Sequence, residues 1–148
     1  MAAVLLIAHA PLASALLSVA GHCYGEKGHL FEAIDVEPTM SADAVEALAR
    51  EALVRLNAPE VLVLTDVFGA TPCNVAQRLS DGVNVRVVAG VNVPMLWRSL
   101  CYSADSLDSV VARAVVGATQ GVMQVATARP QNQTRKTRGN DQGDDQDQ

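Results

Sequence analysis

The feature that most constrains the fold is a series of short, unbroken apolar runs. Residues 4–7 and 61–64 contain no polar side chain. Runs this short, apolar at every position, are typical of strands that are covered on both faces. Between them lie longer stretches with apolar residues at helical spacing, of which residues 41–56 are the clearest. This alternation predicts an α/β fold in which helices cover both faces of a mostly parallel, open sheet.

The remaining elements follow from the same patterns. Further strands are predicted at residues 30–36 and 83–89, and a short closing strand at 122–127. Ser41 is placed as a helix N-cap, because its hydroxyl can accept a hydrogen bond from a free N–H of the first turn. Pro72 and Pro94 mark two helix starts, where a missing N–H is harmless. The last helix is predicted over residues 107–119.

Composition divides the chain into one domain and a tail. Of 148 residues, 49 % are hydrophobic but only 3 % aromatic, so Ala, Val and Leu fill the core. Residues 129–148 contain no aliphatic side chain and cannot bury apolar surface. We therefore predict a domain over residues 1–128 and a disordered polar tail over residues 129–148.

Charge and cysteine usage exclude several classes of protein. The net charge of −5, with no basic stripe before Arg129, argues against a nucleic-acid partner. Three widely spaced cysteines indicate reduced thiols in a cytoplasmic protein rather than a disulfide framework. Residues 2–21 lack charged side chains, but His9 and Pro11 interrupt them, which argues against membrane insertion. His22, Cys23 and His29 match no standard zinc spacing, so we predict no metal site.

The polar residues that could carry chemistry follow predicted strands. His9 comes directly after the first strand and Asp66 after the third. Ligands of open parallel sheets bind beyond the carboxyl ends of the strands, so both side chains are expected at one edge. A carboxylate that accepts the proton of one imidazole nitrogen leaves the other nitrogen free as a nucleophile. Alternatively, His9 only satisfies a backbone group and Asp66 only caps a turn.

An anion site is predicted directly after Asp66. Gly69 lets the backbone approach a ligand closely, and Thr71 is placed as the N-cap of the helix that Pro72 begins. The free N–H groups of such a helix suit a phosphate. An ordinary capped helix without a ligand is the alternative. Cys73, in the same helix start, is either a buried packing residue or a second candidate nucleophile.

Three segments in order resemble a known family. They are residues 7–10 with Leu16 and Leu17, residues 65–74, and residues 88–96. Together they resemble the mannose-type IIA domain of the phosphoenolpyruvate-dependent sugar phosphotransferase system. The resemblance covers residues 3–127.

The resemblance implies a phosphocarrier without metal or organic cofactor. His9 would accept a phosphoryl group from the carrier protein HPr and pass it to a IIB component. Asp66 would orient the imidazole, while Gly69, Ala70 and Thr71 surround the phosphoryl group. Asn92 and Pro94 would form another wall of the site. The resemblance further implies a cytoplasmic homodimer whose last antiparallel strand, near residues 122–127, is exchanged between subunits.

The sequence departs from the family pattern beside the histidine. Ala8 and Ala10 stand where the family usually has a hydroxyl residue and a glycine, which leaves the preferred donor and the transfer rate open. Three other functions also stay open. They are a regulatory module whose partner binding depends on phosphorylation, a phosphodonor subunit for dihydroxyacetone phosphorylation, and an unrelated hydrolase built on Cys73 and His9.

Overall fold

The computed structural model describes residues 1–126, which form a four-stranded sheet between two layers of helices. The strands are β1 (Ala3–His9), β2 (Phe31–Val36), β3 (Val61–Thr65) and β4 (Val85–Ala89). The helices are α1 (Leu12–Tyr24), α2 (Ala42–Leu56), α3 (Thr71–Leu79), α4 (Val93–Cys101) and α5 (Leu107–Gln120), with a short 3-10 helix over Gly25–Leu30. The predicted tail, residues 129–148, lies outside the described residues.

The four strands are parallel and lie in the order β2-β1-β3-β4. Ile7 of β1 is opposite Ile34 of β2 on one side and opposite Thr65 of β3 on the other. The chain places β2 on one side of β1, and then β3 and β4 on the other side. The strand order therefore reverses between β1 and β3. In doubly wound sheets a ligand binds beyond the carboxyl ends of the strands at such a reversal. The predicted α/β fold with a parallel sheet is confirmed. The reversal lies where His9 ends β1 and Asp66 follows β3.

Both faces of the sheet are covered, which explains the unbroken apolar runs. Val4 and Leu6 face α1, α4 and α5, whereas Leu5 and Ile7 face α2 and α3. All four side chains are fully buried. Burial on both faces removes the polar alternation that a half-exposed strand would show.

Two strands begin later than predicted. Leu30 ends the 3-10 helix, so β2 begins at Phe31. β4 begins at Val85 instead of residue 83, because the Asp81 carboxylate accepts the backbone N–H groups of Val83, Asn84 and Val85 at 2.7–2.9 Å. These bonds fold the residues before Val85 into a turn.

The predicted helix starts are confirmed with small shifts. Ser41 is the N-cap of α2, and its Oγ accepts the N–H of Ala44 at 3.1 Å. Pro72 and Pro94 are the second residues of α3 and α4. A proline in the first turn removes an N–H that would have no partner inside the helix.

The part of the predicted closing strand that the structure describes does not join the sheet. Residues 122–126 form no strand, and Thr127 lies outside the described residues. Val122, Met123 and Val125 are all more than 70 % exposed. A strand that is exchanged between two subunits would find its neighbours in the other subunit, so the exchange stays a prediction.

Candidate functional site

The loops that follow β1, β3 and β4 meet at one edge of the sheet. The N–H of Ala10 donates to the carbonyl oxygen of Val36 at 3.0 Å, which fixes the turn after β1. The N–H of Gly90 donates to the carbonyl oxygen of Asp66 at 2.9 Å. The N–H of Val91 donates to the carbonyl oxygen of Thr65 at 3.0 Å. The last two bonds join the loops after β3 and β4. The pairing of Ile7 with Thr65 places Asp66 beside the end of β1.

His9 and Asp66 are bonded twice through the same carboxylate oxygen. Oδ2 of Asp66 accepts the backbone N–H of His9 at 2.9 Å and lies 2.7 Å from Nδ1 of its ring. Oδ1 of Asp66 accepts the N–H of Val67 at 2.8 Å. An ionised carboxylate can only accept hydrogen bonds, so the proton of a neutral His9 is assigned to Nδ1. The lone pair of Nε2 is then free.

The environment of Asp66 favours its ionised form. Burial opposes ionisation, but the hydrogen bonds from the backbone and ring of His9 and from the N–H of Val67 outweigh it and lower the pKa of Asp66. The Asp66 side chain is only 14 % exposed, whereas that of His9 is 52 % exposed. The carboxylate that bonds Nδ1 is therefore largely buried, while the ring itself reaches solvent.

The turn after Asp66 leads into α3 without a side-chain cap. Gly69 has φ +89°, a conformation that glycine adopts without strain. Ala70 is the N-cap, and Thr71 is the first helical residue. The prediction that Thr71 caps the helix is wrong, because the extended residue before α3 is Ala70 and it has no oxygen in its side chain. No side chain accepts a hydrogen bond at this cap. The first turn of α3 thus keeps the free donors that an anion requires.

Asn92 and Pro94 contact α5. Oδ1 of Asn92 caps α4 by accepting the N–H of Met95 at 2.9 Å, and its Nδ2 donates to the carbonyl oxygen of Ala118 at 3.2 Å. Pro94 packs so closely on Gly121 that a Cβ at Gly121 would collide with its ring. These two residues hold the loop after β4 against the end of α5. Their predicted role as a wall of the phosphoryl site stays a prediction.

The other sequence candidates lie away from this pair or lack access. Cys73 is 2 % exposed, which argues against its use as a nucleophile. Within residues 1–126, no three His, Cys, Asp or Glu side chains form a group that could hold a metal ion. The same residues contain no helix that is long and apolar enough to span a membrane.

Sequence reasoning missed three exposed apolar residues in the segments that follow His9 and Asp66. Phe68 is 76 % exposed, Val67 52 % and Leu12 38 %. Leu12 follows the turn after His9, and the other two directly follow Asp66. The sequence contained one signal for this exposure. Two large apolar residues, Val67 and Phe68, lie in a predicted turn that also contains Asp66 and Gly69.

Comparison with protein families identifies the family of this chain. Residues 3–115 match the model of the EIIA-man family, described as the fructose IIA component of the phosphotransferase system. The chain belongs to the EIIA-man family. It is therefore a IIA component of the mannose class of the sugar phosphotransferase system, as the three sequence segments predicted.

Relatives of this EIIA-man chain agree with the assignment. It is 34 % identical over 124 residues to the mannose-specific EIIAB component of Escherichia coli K12, and the match covers 81 % of this chain. The chain spans 38 % of the length of that relative.

Solved structures share the fold. A IIA protein associated with the fucose utilization operon of Streptococcus pneumoniae is 28 % identical with a TM-score of 0.70, covering 84 % of this chain and 96 % of that one. The mannose/sorbose IIA subunit of Enterococcus faecalis is 24 % identical with a TM-score of 0.77, covering 87 % and 98 %.

Proposed function

We propose that this IIA domain is a phosphohistidine carrier in which Nε2 of His9 accepts a phosphoryl group from phospho-HPr and passes it to a IIB component. The observation that carries the proposal is the 2.7 Å contact between Nδ1 of His9 and Oδ2 of Asp66, on a ring that is half exposed. The contact orients the ring, fixes the tautomer and leaves the reactive nitrogen open to a partner.

The transfer needs no cofactor on the carrier. The lone pair of Nε2 forms a bond to phosphorus as the bond between phosphorus and the donor's nitrogen breaks, and that nitrogen keeps the electron pair. Positive charge develops on the His9 imidazole as the new bond forms. The ionised Asp66, bonded to Nδ1–H, stabilises this charge. Transfer to the IIB component is the same displacement, with His9 as the leaving group.

The turn from Gly69 to Thr71 is the proposed phosphoryl-binding element. The first turn of α3 has no side-chain cap, and its N–H groups lie at the positive end of the helix dipole. The Thr71 hydroxyl adds one further donor at the same turn. Neutral donors of this kind hold a phosphoryl group without binding it so strongly that it cannot leave.

The exposed apolar residues Leu12, Val67 and Phe68, which follow His9 and Asp66 in the chain, are the proposed docking surface for both partners. HPr and the IIB component must reach the same Nε2 atom, so they must use this surface in turn. An apolar centre with a reactive group beside it suits short-lived protein contacts. We expect this exchange to take place in the cytoplasm, where the resemblance places the family.

We also propose that the chain forms a homodimer. In the described part of the chain, β4 is an edge strand with a strand on one side only. An unpaired edge offers free N–H and C=O groups to a further strand. The exposed apolar residues Val122, Met123 and Val125 supply a segment that a second subunit could pair there.

The alternatives differ in how well they fit these observations. Burial of Cys73 removes the support for a hydrolase that uses this thiol. A mannose-specific relative favours sugar transfer over dihydroxyacetone phosphorylation. A regulatory module would use the same phosphorylated His9, and would bind its partner in only one phosphorylation state without passing the phosphoryl group on.

The proposal is tested by incubating the protein with phosphoenolpyruvate, enzyme I and HPr, followed by intact-mass measurement. We expect one acid-labile phosphoryl group on the wild type and on His29→Ala, and none on His9→Ala. Addition of a IIB component should then remove the group. Phosphorylation of His9→Ala would contradict the proposal, and failure of every IIB component to accept the group would favour the regulatory alternative.

A further inference from the structure

The first turn of α1 takes its cap from a strand of the sheet. Pro11, the residue before the helix, provides no side-chain acceptor, and the first turn contains no acidic residue. Oδ1 of Asp35, in β2, accepts the backbone N–H of Ser14 at 2.9 Å. The Asp35 carboxylate therefore satisfies a donor that has no partner inside the helix, and it does so at the positive end of the helix dipole.

Strand β2 holds the chain at two points after His9. His9 is opposite Val36 in the parallel pairing of β1 with β2. The carbonyl oxygen of Val36 accepts the N–H of Ala10 at 3.0 Å, and Asp35 accepts the N–H of Ser14, four residues later. Two residues separate His9 from the start of α1. A connection this short, held at both ends, has little freedom to move.

Two carboxylates, one from each side of β1, thus act on His9 in different ways. β1 lies between β2 and β3. Asp66, after β3, bonds the main chain and the ring of His9 directly. Asp35, in β2, bonds the helix into which His9 leads. If the first turn of α1 were released, the peptide after His9 could turn with it, and Nδ1 would move away from Oδ2 of Asp66.

We propose that Asp35 is a positioning residue for phosphoryl transfer, which holds the first turn of α1 and thereby keeps the His9 ring against Asp66. For the transfer rate, this inference rests on the proposed function, since it requires His9 to accept the phosphoryl group. A displacement of about 1 Å in a reacting group can cost about 100-fold in rate. The bond to Ser14 needs an acceptor at Oδ1 and not a negative charge, so an amide in the same place should serve.

The first measurement is the rate of phosphoryl transfer from phospho-HPr to the full-length protein, by rapid quench. Asp35→Ala removes the acceptor. We expect its maximal rate to fall about tenfold or more while KM stays within about twofold, because no docking residue changes. Asp35→Val also removes the acceptor and places a residue that suits a strand, so it repeats the test if the alanine variant folds poorly. Asp35→Asn keeps Oδ1 and should transfer at nearly the wild-type rate.

Ser106→Ala is the matched control, because it removes a helix cap of the same kind far from His9. Ser106 is the N-cap of α5, and its Oγ accepts the N–H of Ser109 at 3.3 Å. This helix start lies at the opposite edge of the sheet, where the N–H of Ala2, just before β1, donates to the carbonyl oxygen of Ser103 at 2.7 Å. The control variant should transfer at the wild-type rate.

The second measurement is the nitrogen NMR spectrum of the His9 ring in the unphosphorylated protein, which requires no phosphodonor. The neutral ring of the wild type should carry its proton on Nδ1. In Asp35→Ala and Asp35→Val the share of the tautomer protonated on Nε2 should rise, because the contact with Asp66 is loosened. Asp35→Asn and Ser106→Ala should keep the wild-type spectrum of this ring.

A wild-type transfer rate or an unchanged tautomer in the variants without the acceptor would overturn the inference. An equal slowing by Ser106→Ala would overturn it as well, and so would a loss in Asp35→Asn as large as that in Asp35→Ala. If the wild type accepts no phosphoryl group, the proposed function fails, and the tautomer measurement alone still decides whether Asp35 positions the ring.

Discussion

One carboxylate oxygen of Asp66 lies within hydrogen-bond distance of both the main-chain nitrogen and the ring Nδ1 of His9, at 2.9 and 2.7 Å. The main-chain bond fixes where residue 9 lies, and the ring contact fixes how its imidazole is turned. A ring held at both points loses little freedom when it attacks phosphorus, so less entropy is lost on reaching the transition state.

Substitution of Asp66 by Asn should slow phosphorylation of His9 by about 100-fold or more, a loss typical of a disrupted proton-orienting pair. The neutral amide cannot stabilise positive charge on the ring, and it can present its NH₂ to Nδ1 and so favour the wrong tautomer. Rapid-quench measurement of phosphoryl transfer from phospho-HPr gives the rate. Asp81→Asn, which removes a carboxylate from a turn before β4, is the control and should transfer at the wild-type rate.

Stability should fall in acid through Asp66. Its pKa is lower in the folded protein than the ordinary value of about 3.9. A lowered carboxyl pKa stabilises the fold above the unfolded-state value, and this contribution is lost as the pH falls from about 4 toward the folded-state pKa. Urea unfolding at pH 7 and at pH 3 measures the loss. We expect a smaller difference between the two pH values in Asp66→Asn, and an equal difference would contradict the assignment.

Thr65→Val should raise the free energy of unfolding by about 1 kcal/mol, since an unpaired buried hydroxyl costs roughly that much. Thr65 is fully buried, and its Oγ1 has no hydrogen-bond partner among residues 1–126. Valine has nearly the same shape without the polar atom. Ser99→Ala is the matched control. The buried Ser99 hydroxyl donates to the carbonyl oxygen of Met95 at 2.8 Å, so its removal should not raise the free energy of unfolding. Urea titration measures both.

Phe68→Ser should weaken phosphoryl transfer between proteins without affecting stability. Phe68 is 76 % exposed and lies two residues after Asp66 in the chain, so we expect it to contribute to docking and not to the core. We expect a rise in KM for phospho-HPr of about tenfold, the effect of losing one central aromatic contact. Val54→Ser removes an equally exposed apolar side chain, 77 %, from α2. A similar rise in KM in that variant would contradict a local docking surface.

Much of the framework was determined by local sequence. Residues 4–7 and 61–64 are apolar at every position, and runs this short and uniform are typical of strands covered on both faces. Ser41, Pro72 and Pro94 carry their own helix-start chemistry, so the helices that they begin could be predicted from a few neighbouring residues. Because parallel strands end at the same edge, the positions of His9 and Asp66 after two such strands already placed both at that edge.

The tertiary structure decided the relationships between distant residues. The sequence does not state that β3 lies beside β1, and only that neighbourhood brings Oδ2 of Asp66 to Nδ1 of His9. It also determined that Asn92 bonds to α5 and that Phe68 stays in solvent, since both depend on packing between separate elements. Short-range patterns specify strands, helices and their ends, whereas contacts between residues 57 positions apart arise only when the sheet assembles.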